Sequence, residues 1–286
     1  MLPLRLGHLE VSRVVDLETP TSPRFLFAEM TREAMAPHLA WAAPHFYDPR
    51  ADRLLMSIQT FVLRTRHHTI LVDTCLGNDK PRAYEGWNLR KGTYLEDLAR
   101  SGVAPEQVDY VMCTHLHVDH VGWNTRLENG RWVPTFPRAK YVFAKTELDF
   151  WRGGSEPENA QVFADSVRPV LDAGQAVAVD MDHVLTDEIR LEPTPGHTPG
   201  HVSIHLTSAG QEAVITGDMM HHPVQIAEPD WSSKFCTDKA QSARTRREFC
   251  ARYADRDVWI LGTHFAPPTA VRIVSERGKW LPVSEG

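Results

Sequence analysis

The sequence predicts an αββα sandwich of the α+β class, in which two packed mixed β-sheets are flanked by helices. Three observations predict it. Strand-like segments come early and again late in the chain, each set is followed by helical segments, and neither a Gly/Ser-rich linker nor a repeat divides the 286 residues. A chain of this length buries enough apolar surface to fold without disulfide or metal staples, so residues 1–286 read as a single domain.

Residues 4–16 and 55–65 are apolar or alternating with β-branched content and read as strands. Thr65-Arg66-His67-His68 separates the apolar runs 58–63 and 69–73 as a hairpin turn would. Between these strands, residues 20–50 carry prolines and the aromatics Phe25, Phe27, Trp41, Phe46 and Tyr47 without a clear period, the pattern of an irregular cap over the candidate site. Residues 93–100 read as a short helix ended by Gly102, and 109–113 as a buried strand that delivers the chain into Thr114 and His115. Further strands are expected at 140–144, 176–179, 189–192, 201–206 and 213–216, with helices near 146–151, 160–171 and 238–254. A last core strand, 258–261, runs into Gly262-Thr263-His264.

Composition narrows the function classes. At 42% hydrophobic and 24% charged residues the chain is an ordinary globular one, which excludes disorder. A net charge of −6 with no basic block argues against nucleic acid and anionic membrane as partners. The start of the chain lacks the apolar core of a signal peptide, and no apolar run approaches a membrane span, so a cytoplasmic protein is expected. Cys75, Cys113, Cys236 and Cys250 form no C-x-x-C pair, which suggests neither a disulfide framework nor a thiolate metal site. The 15 histidines are the oddity, and their positions point to a metal centre.

His115-Leu116-His117-Val118-Asp119-His120 follows the apolar strand directly. In an extended segment residues i and i+2 face the same way, so His115, His117 and Asp119 can converge, while His120 turns toward a neighbouring position if the chain bends into a helix. One short run thus offers ligands to two metals. Three later sites repeat one design, an apolar strand ending in a glycine turn and a ligand-type residue: Pro195-Gly196-His197, Thr216-Gly217-Asp218 and Gly262-Thr263-His264. Each glycine suits a tight strand-end turn or a close backbone approach.

These residues closely resemble the metallo-β-lactamase superfamily, whose members carry H-x-H-x-D-H, a later His, a bridging Asp and a final His in that order. The resemblance runs from the hairpin ending in Asp73 to His264. It implies that His115, His117 and His197 hold one metal, that Asp119, His120 and His264 hold the other, and that Asp218 bridges them. Five imidazoles and two carboxylates suit two Zn²⁺, with Fe, Mn or Co as alternatives.

The expected reaction is hydrolysis by a metal-activated water, with Asp119 as proton shuttle to the leaving group and no Ser or Cys nucleophile. Asp73, ending an apolar strand, is placed to hold a ligand histidine, and Thr198, His201 and Thr263 lie close in sequence to ligands. Phe265 and His222 are the preferred substrate-pocket candidates among the residues that adjoin ligands.

Within the superfamily, the full ligand set looks unlike that of β-lactamases proper. The short stretch after His264 looks unlike the thioesterases of the glyoxalase type, and the charge does not suit the tRNA-processing nucleases. The stand-alone lactonases and esterases and the organophosphate hydrolases remain. Lactone or carboxylic-ester hydrolysis is therefore expected, of the acyl-homoserine lactone or aryl lactone type, with phosphotriester hydrolysis second. A non-catalytic scaffold of the same fold is the alternative from another class. The expected partner is a small-molecule substrate, with a homodimer as the assembly allowed.

Overall fold

The computed structural model describes residues 3–154 and 157–284. By internal contacts these form two compact units, Leu2–Leu17 with Ile58–Met181 and Glu18–Ser57 with Asp182–Gly286. Each unit is built on one mixed β-sheet. Among the described residues, no helix is long and apolar enough to cross a membrane.

The first sheet runs in the order Leu4–Leu6, Leu9–Thr21, Arg53–Arg64, Thr69–Val72, Tyr110–Met112, Lys140–Ala144, Ala176–Val179, and Tyr47–Asp48 pairs with Arg53–Arg64. Its last four strands are parallel neighbours, which puts their C-terminal ends on one edge. In that register Val72 pairs with Met112, so Asp73 and the start of the histidine run leave the sheet side by side. Beneath them lies a buried apolar cluster that includes Val62, Leu71, Val111, Leu116 and Trp123.

The expected strand 4–16 is two strands joined at Gly7, whose φ of 55° is the left-handed turn that glycine takes without steric cost. The expected helix 160–171 is an α-helix, Pro157–Val162, a π-helical turn, Phe163–Val167, and a second α-helix, Arg168–Asp172. The π turn carries Asp165, whose buried carboxylate accepts from Arg82 Nη1 at 2.7 Å and Nη2 at 2.9 Å and lies 3.4 Å from Lys80 Nζ. Widening the turn there accompanies this long-range ion cluster.

The second sheet has the order Val184–Thr186, Ile189–Pro193, Val202–Ser208, Gln211–Ile215, Val258–Leu261, Ala270–Glu276, Lys279–Val283. Gln211–Ile215 and Val258–Leu261 are its parallel pair, with Ile215 opposite Leu261. That register brings Gly217-Asp218 and Gly262-His264 out at the same end. Helix Lys239–Tyr253 starts on an Asp238 side chain that accepts from Gln241 N at 2.8 Å, and its Phe249, Cys250 and Tyr253 pack against Val214, Val258 and Ile260.

In the same unit, residues 20–50 hold short helices at Pro23–Leu26, Arg32–Met35 and Leu39–Ala42. Their apolar residues Leu26, Phe27, Met30 and Met35 form a buried cluster with Tyr47, Leu54 and Val224. Aromatic content without a period thus reflects several short turns that share one small core.

Candidate metal centre

In the first unit, the strand Tyr110–Met112 hands the chain to His115, and the backbone bends at His117 into the short helix Val118–Val121. The extended part ends there. Asp119 lies past that bend, on the helix, with its Oδ1 3.7 Å from His120 Nε2. His115 Nε2 and His117 Nδ1 face each other at 2.9 Å.

Asp73 organises this run. Its Oδ1 accepts from Thr114 N at 2.8 Å, and its Oδ2 accepts from Thr114 Oγ1 at 2.9 Å and from His120 Nδ1 at 2.9 Å. Asp73 sits at φ 58° and Cys75 at φ 51°, left-handed values that are uncommon for residues other than glycine and that mark a loop held under strain. The same loop is stitched to the histidine run by Thr74 N to His120 O and Gly122 N to Cys75 O, both 2.7 Å. Gly122 is required for that approach, since a Cβ there would stand 1.9 Å from the Leu76 carbonyl carbon.

The tautomers follow from these bonds. A carboxylate only accepts, so His120 carries its proton on Nδ1 and leaves Nε2 bare. Thr114 Oγ1 gives its proton to Asp73 and accepts from His115 Nδ1 at 3.1 Å, which leaves His115 Nε2 bare as well. Glu147 supports the run from the side, accepting Leu116 N at 3.1 Å and Trp151 Nε1 at 2.7 Å, and the Trp151 ring stands edge-on to His117.

In the second unit, three imidazoles surround the buried carboxylate of Asp218. His264 Nε2 lies 3.0 Å from Oδ1, and His197 Nε2 and His221 Nε2 each lie 3.2 Å from Oδ2. His264 Nδ1 donates to the Ser57 carbonyl at 2.9 Å, so its Nε2 is bare in the neutral ring and faces a carboxylate oxygen. Two acceptors aimed at each other are unfavourable unless a proton or a metal cation lies between them, and the donor set is one that divalent metals take. The residues present fit a metal. His201 fixes the backbone here: its Nε2 accepts from Asp218 N at 3.0 Å while Nδ1 pairs with Thr194 Oγ1 at 2.9 Å.

Two glycines of the strand-end turns take positive φ, Gly196 at 130° and Gly217 at 53°. Gly262 does not, and its reason is space: a Cβ would sit 2.1 Å from the Phe265 ring.

The two residues expected to line the substrate pocket, His222 and Phe265, are both buried. His222 is fully buried, with Nε2 2.9 Å from the Phe46 carbonyl and Nδ1 accepting from Val224 N at 3.1 Å, so both ring nitrogens are spent on the backbone. Burial pushes its pKa down to about 4. Phe265 is a fully buried core ring packed near Phe46. His221, one residue before His222, is the side chain brought to Asp218, and the signal that could have identified it is the i, i+3 spacing across a tight turn. Its ring stacks on His264 at 5.8 Å and meets Phe27, from the aromatic segment, edge-on at 6.3 Å.

The two sheets and their strand-end His/Asp sets define an α+β protein able to hold metal ions. A family profile, the metallo-β-lactamase superfamily, matches residues 55–263, and the chain belongs to that superfamily. Curated relatives include an N-acyl homoserine lactonase of Bacillus cereus, 26% identical over 166 residues that are 53% of this chain and 58% of the relative. Another is metallo-β-lactamase domain-containing protein 1 of Xenopus laevis, 32% identical over 53% of this chain and 49% of the relative. The chain thus spans about half the length of the curated relatives it matches.

Among solved structures, the chain is similar to AidC, a dizinc quorum-quenching lactonase, with a TM-score of 0.82, 21% identity and coverage of 99% of this chain and 97% of that one. A hydrolase named AbOPH gives a TM-score of 0.80 at 23% identity with the same coverage. At these identities the likeness establishes the metallo-β-lactamase fold.

Proposed function

We propose that the two ligand sets act together as a dinuclear metal centre in a hydrolase that opens lactones or cleaves carboxylic esters. The observation that carries this reading is the orientation of His115, His120 and His264, whose Nδ1 atoms are fixed from behind by Thr114, Asp73 or the Ser57 carbonyl so that each neutral ring presents an unprotonated Nε2. Metal ligands are held in this manner, with the other ring nitrogen donating to an oxygen. His115, His117, His197 and Asp218 would hold one ion, and Asp119, His120 and His264 the other; the family resemblance adds Asp218 to the second set as well. The donor set, imidazole with carboxylate, favours zinc.

Two divalent cations, when bound, supply hydroxide from water at neutral pH and an electrophile for the substrate carbonyl. The protein's own residues do the rest. Asp119 is the proton carrier, because its side chain keeps 14% of its surface exposed whereas His120 keeps none, so it can reach both an incoming water and a departing alkoxide. Asp73 and His201 keep the ligands in register without touching substrate. Residues 20–50 supply the apolar wall, with the Phe27 ring edge-on to His221 at 6.3 Å.

The lactone preference draws on relatives named as N-acyl homoserine lactonases and on a structural neighbour named as a lactonase. A panel of substrates tests it: an acyl-homoserine lactone, an aryl lactone, a p-nitrophenyl ester and a phosphotriester, assayed on zinc-loaded protein. The reading predicts the largest kcat/KM on a lactone or carboxylic ester. A larger value on the phosphotriester would overturn the substrate class, and no turnover on any of them would overturn the hydrolase.

A further inference from the structure

Of the histidines with a fixed Nδ1, His115, His120 and His264 turn that nitrogen onto oxygen. His197 differs, since its Nδ1 stands 3.6 Å from the sulfur of Cys236. We propose that Cys236 is a positioning residue for the metal centre, its sulfur accepting the Nδ1 proton of His197 and keeping that ring turned with Nε2 toward Asp218. The proposal rests on the dinuclear reading above.

The surroundings of the thiol commit it to this direction. Its proton goes to Ser242 Oγ at 3.4 Å, so toward the imidazole the sulfur is an acceptor, a role it also plays toward Arg246. Ser242 Oγ is itself held by Arg246 Nη1 at 2.6 Å. Arg246 is fully buried; it also bonds to the Cys236 side chain and reaches the Met219 carbonyl at 3.2 Å, Ser232 Oγ at 2.6 Å and the Pro229 carbonyl at 2.8 Å. One guanidinium therefore ties the residue after Asp218 to the hydroxyl that holds the thiol.

The backbone brings the pieces together. Thr237 N donates to His197 O at 2.8 Å and Asp238 N to Gly196 O at 3.0 Å, which lays the start of helix Lys239–Tyr253 along the Gly196-His197 turn. A Cβ on Gly196 would lie 2.3 Å from Ser242 N, so only glycine admits this approach. Sulfur suits the gap that results. The shorter C–O bond of serine would leave its oxygen beyond the reach of a hydrogen bond to Nδ1.

The test compares the full-length protein with Cys236→Ser and Cys236→Ala, titrating zinc against a chromophoric chelator and recording the visible spectrum of the cobalt(II)-loaded forms. Loss of an outer partner of a ligand histidine typically weakens metal binding 10- to 100-fold. The expected result is a loss of about that size for one of two ions in both variants, with an altered cobalt spectrum and metal-free melting of Cys236→Ser close to that of wild type. If these variants fail to fold, Ser242→Ala, which frees the thiol to rotate, must show a weaker loss in the same direction. Wild type that binds two ions, with variants that hold both as tightly and give the same spectrum, overturns the role of Cys236 and leaves the dinuclear reading standing. Wild type that binds no metal overturns the reading itself.

Discussion

Asp73 Oδ2 lies 2.9 Å from His120 Nδ1, and both side chains are wholly buried. The same carboxylate takes the Thr114 amide and hydroxyl, so both of its oxygens accept hydrogen bonds. Asp73→Asn keeps the shape but replaces one acceptor by a donor, which must then face Thr114 or His120. The expected outcome is at least about a tenfold loss of affinity for one metal ion. Competition titration against a chelator measures it, and unchanged affinity would show that His120 needs no such support.

His222 makes acid stability testable. Its folded pKa of about 4 lies below the ordinary histidine value because burial disfavours the charged ring, and the Phe46 contact only partly offsets this. A depressed pKa contributes stability that is complete above the unfolded value of 6.5 and is lost as pH falls toward 4. Between pH 7 and pH 5 this one group should cost about 2 kcal/mol. Urea unfolding of chelator-treated wild type and His222→Gln at the two pH values checks the difference, and the variant should lose less on acidification.

The ion cluster at the π turn predicts a stability effect separate from the metals. Asp165 faces Arg82 and Lys80 in the interior, and although burial raises its pKa, those two cations outweigh the effect and hold it below the usual range. Asp165→Asn leaves two buried cations without a countercharge, a change worth about 3–5 kcal/mol. Denaturant titration should show that loss with the zinc stoichiometry of the folded protein unchanged. A loss under about 1 kcal/mol would mean that Thr125 and neighbouring carbonyls already satisfy Lys80.

How much of this was legible in the sequence depended on where the signal was local. The ligand-type residues stand out because the parallel strands before Asp73, His115, Asp218 and His264 have apolar ends, and those before Asp218 and His264 lead directly into a glycine. Short hairpins were missed although their signal was present. Asn129-Gly130 joins Thr125–Glu128 to Arg131–Pro134 with both residues at positive φ, and Arg277-Gly278 joins Ala270–Glu276 to Lys279–Val283 in the same way.

Other features are tertiary and leave no local mark. The π turn at Asp165 answers to Arg82 and Lys80, more than eighty residues away in sequence. The choice between His221 and His222 turns on one residue of loop geometry after Asp218, where adjacent imidazoles take opposite directions. Adjacency to a ligand in sequence does not separate the ring that faces Asp218 from the one that bonds to the backbone.

The central claim is that these side chains hold two metal ions through Asp218, and metal content tests it most directly. Inductively coupled plasma mass spectrometry on protein purified without chelator and exposed to zinc should give two equivalents per chain. Asp218→Ala should fall to one or none and lose lactone hydrolysis with it. Wild-type protein that remains metal-free after zinc exposure, or an Asp218→Ala variant that keeps both ions and full activity, would contradict the account.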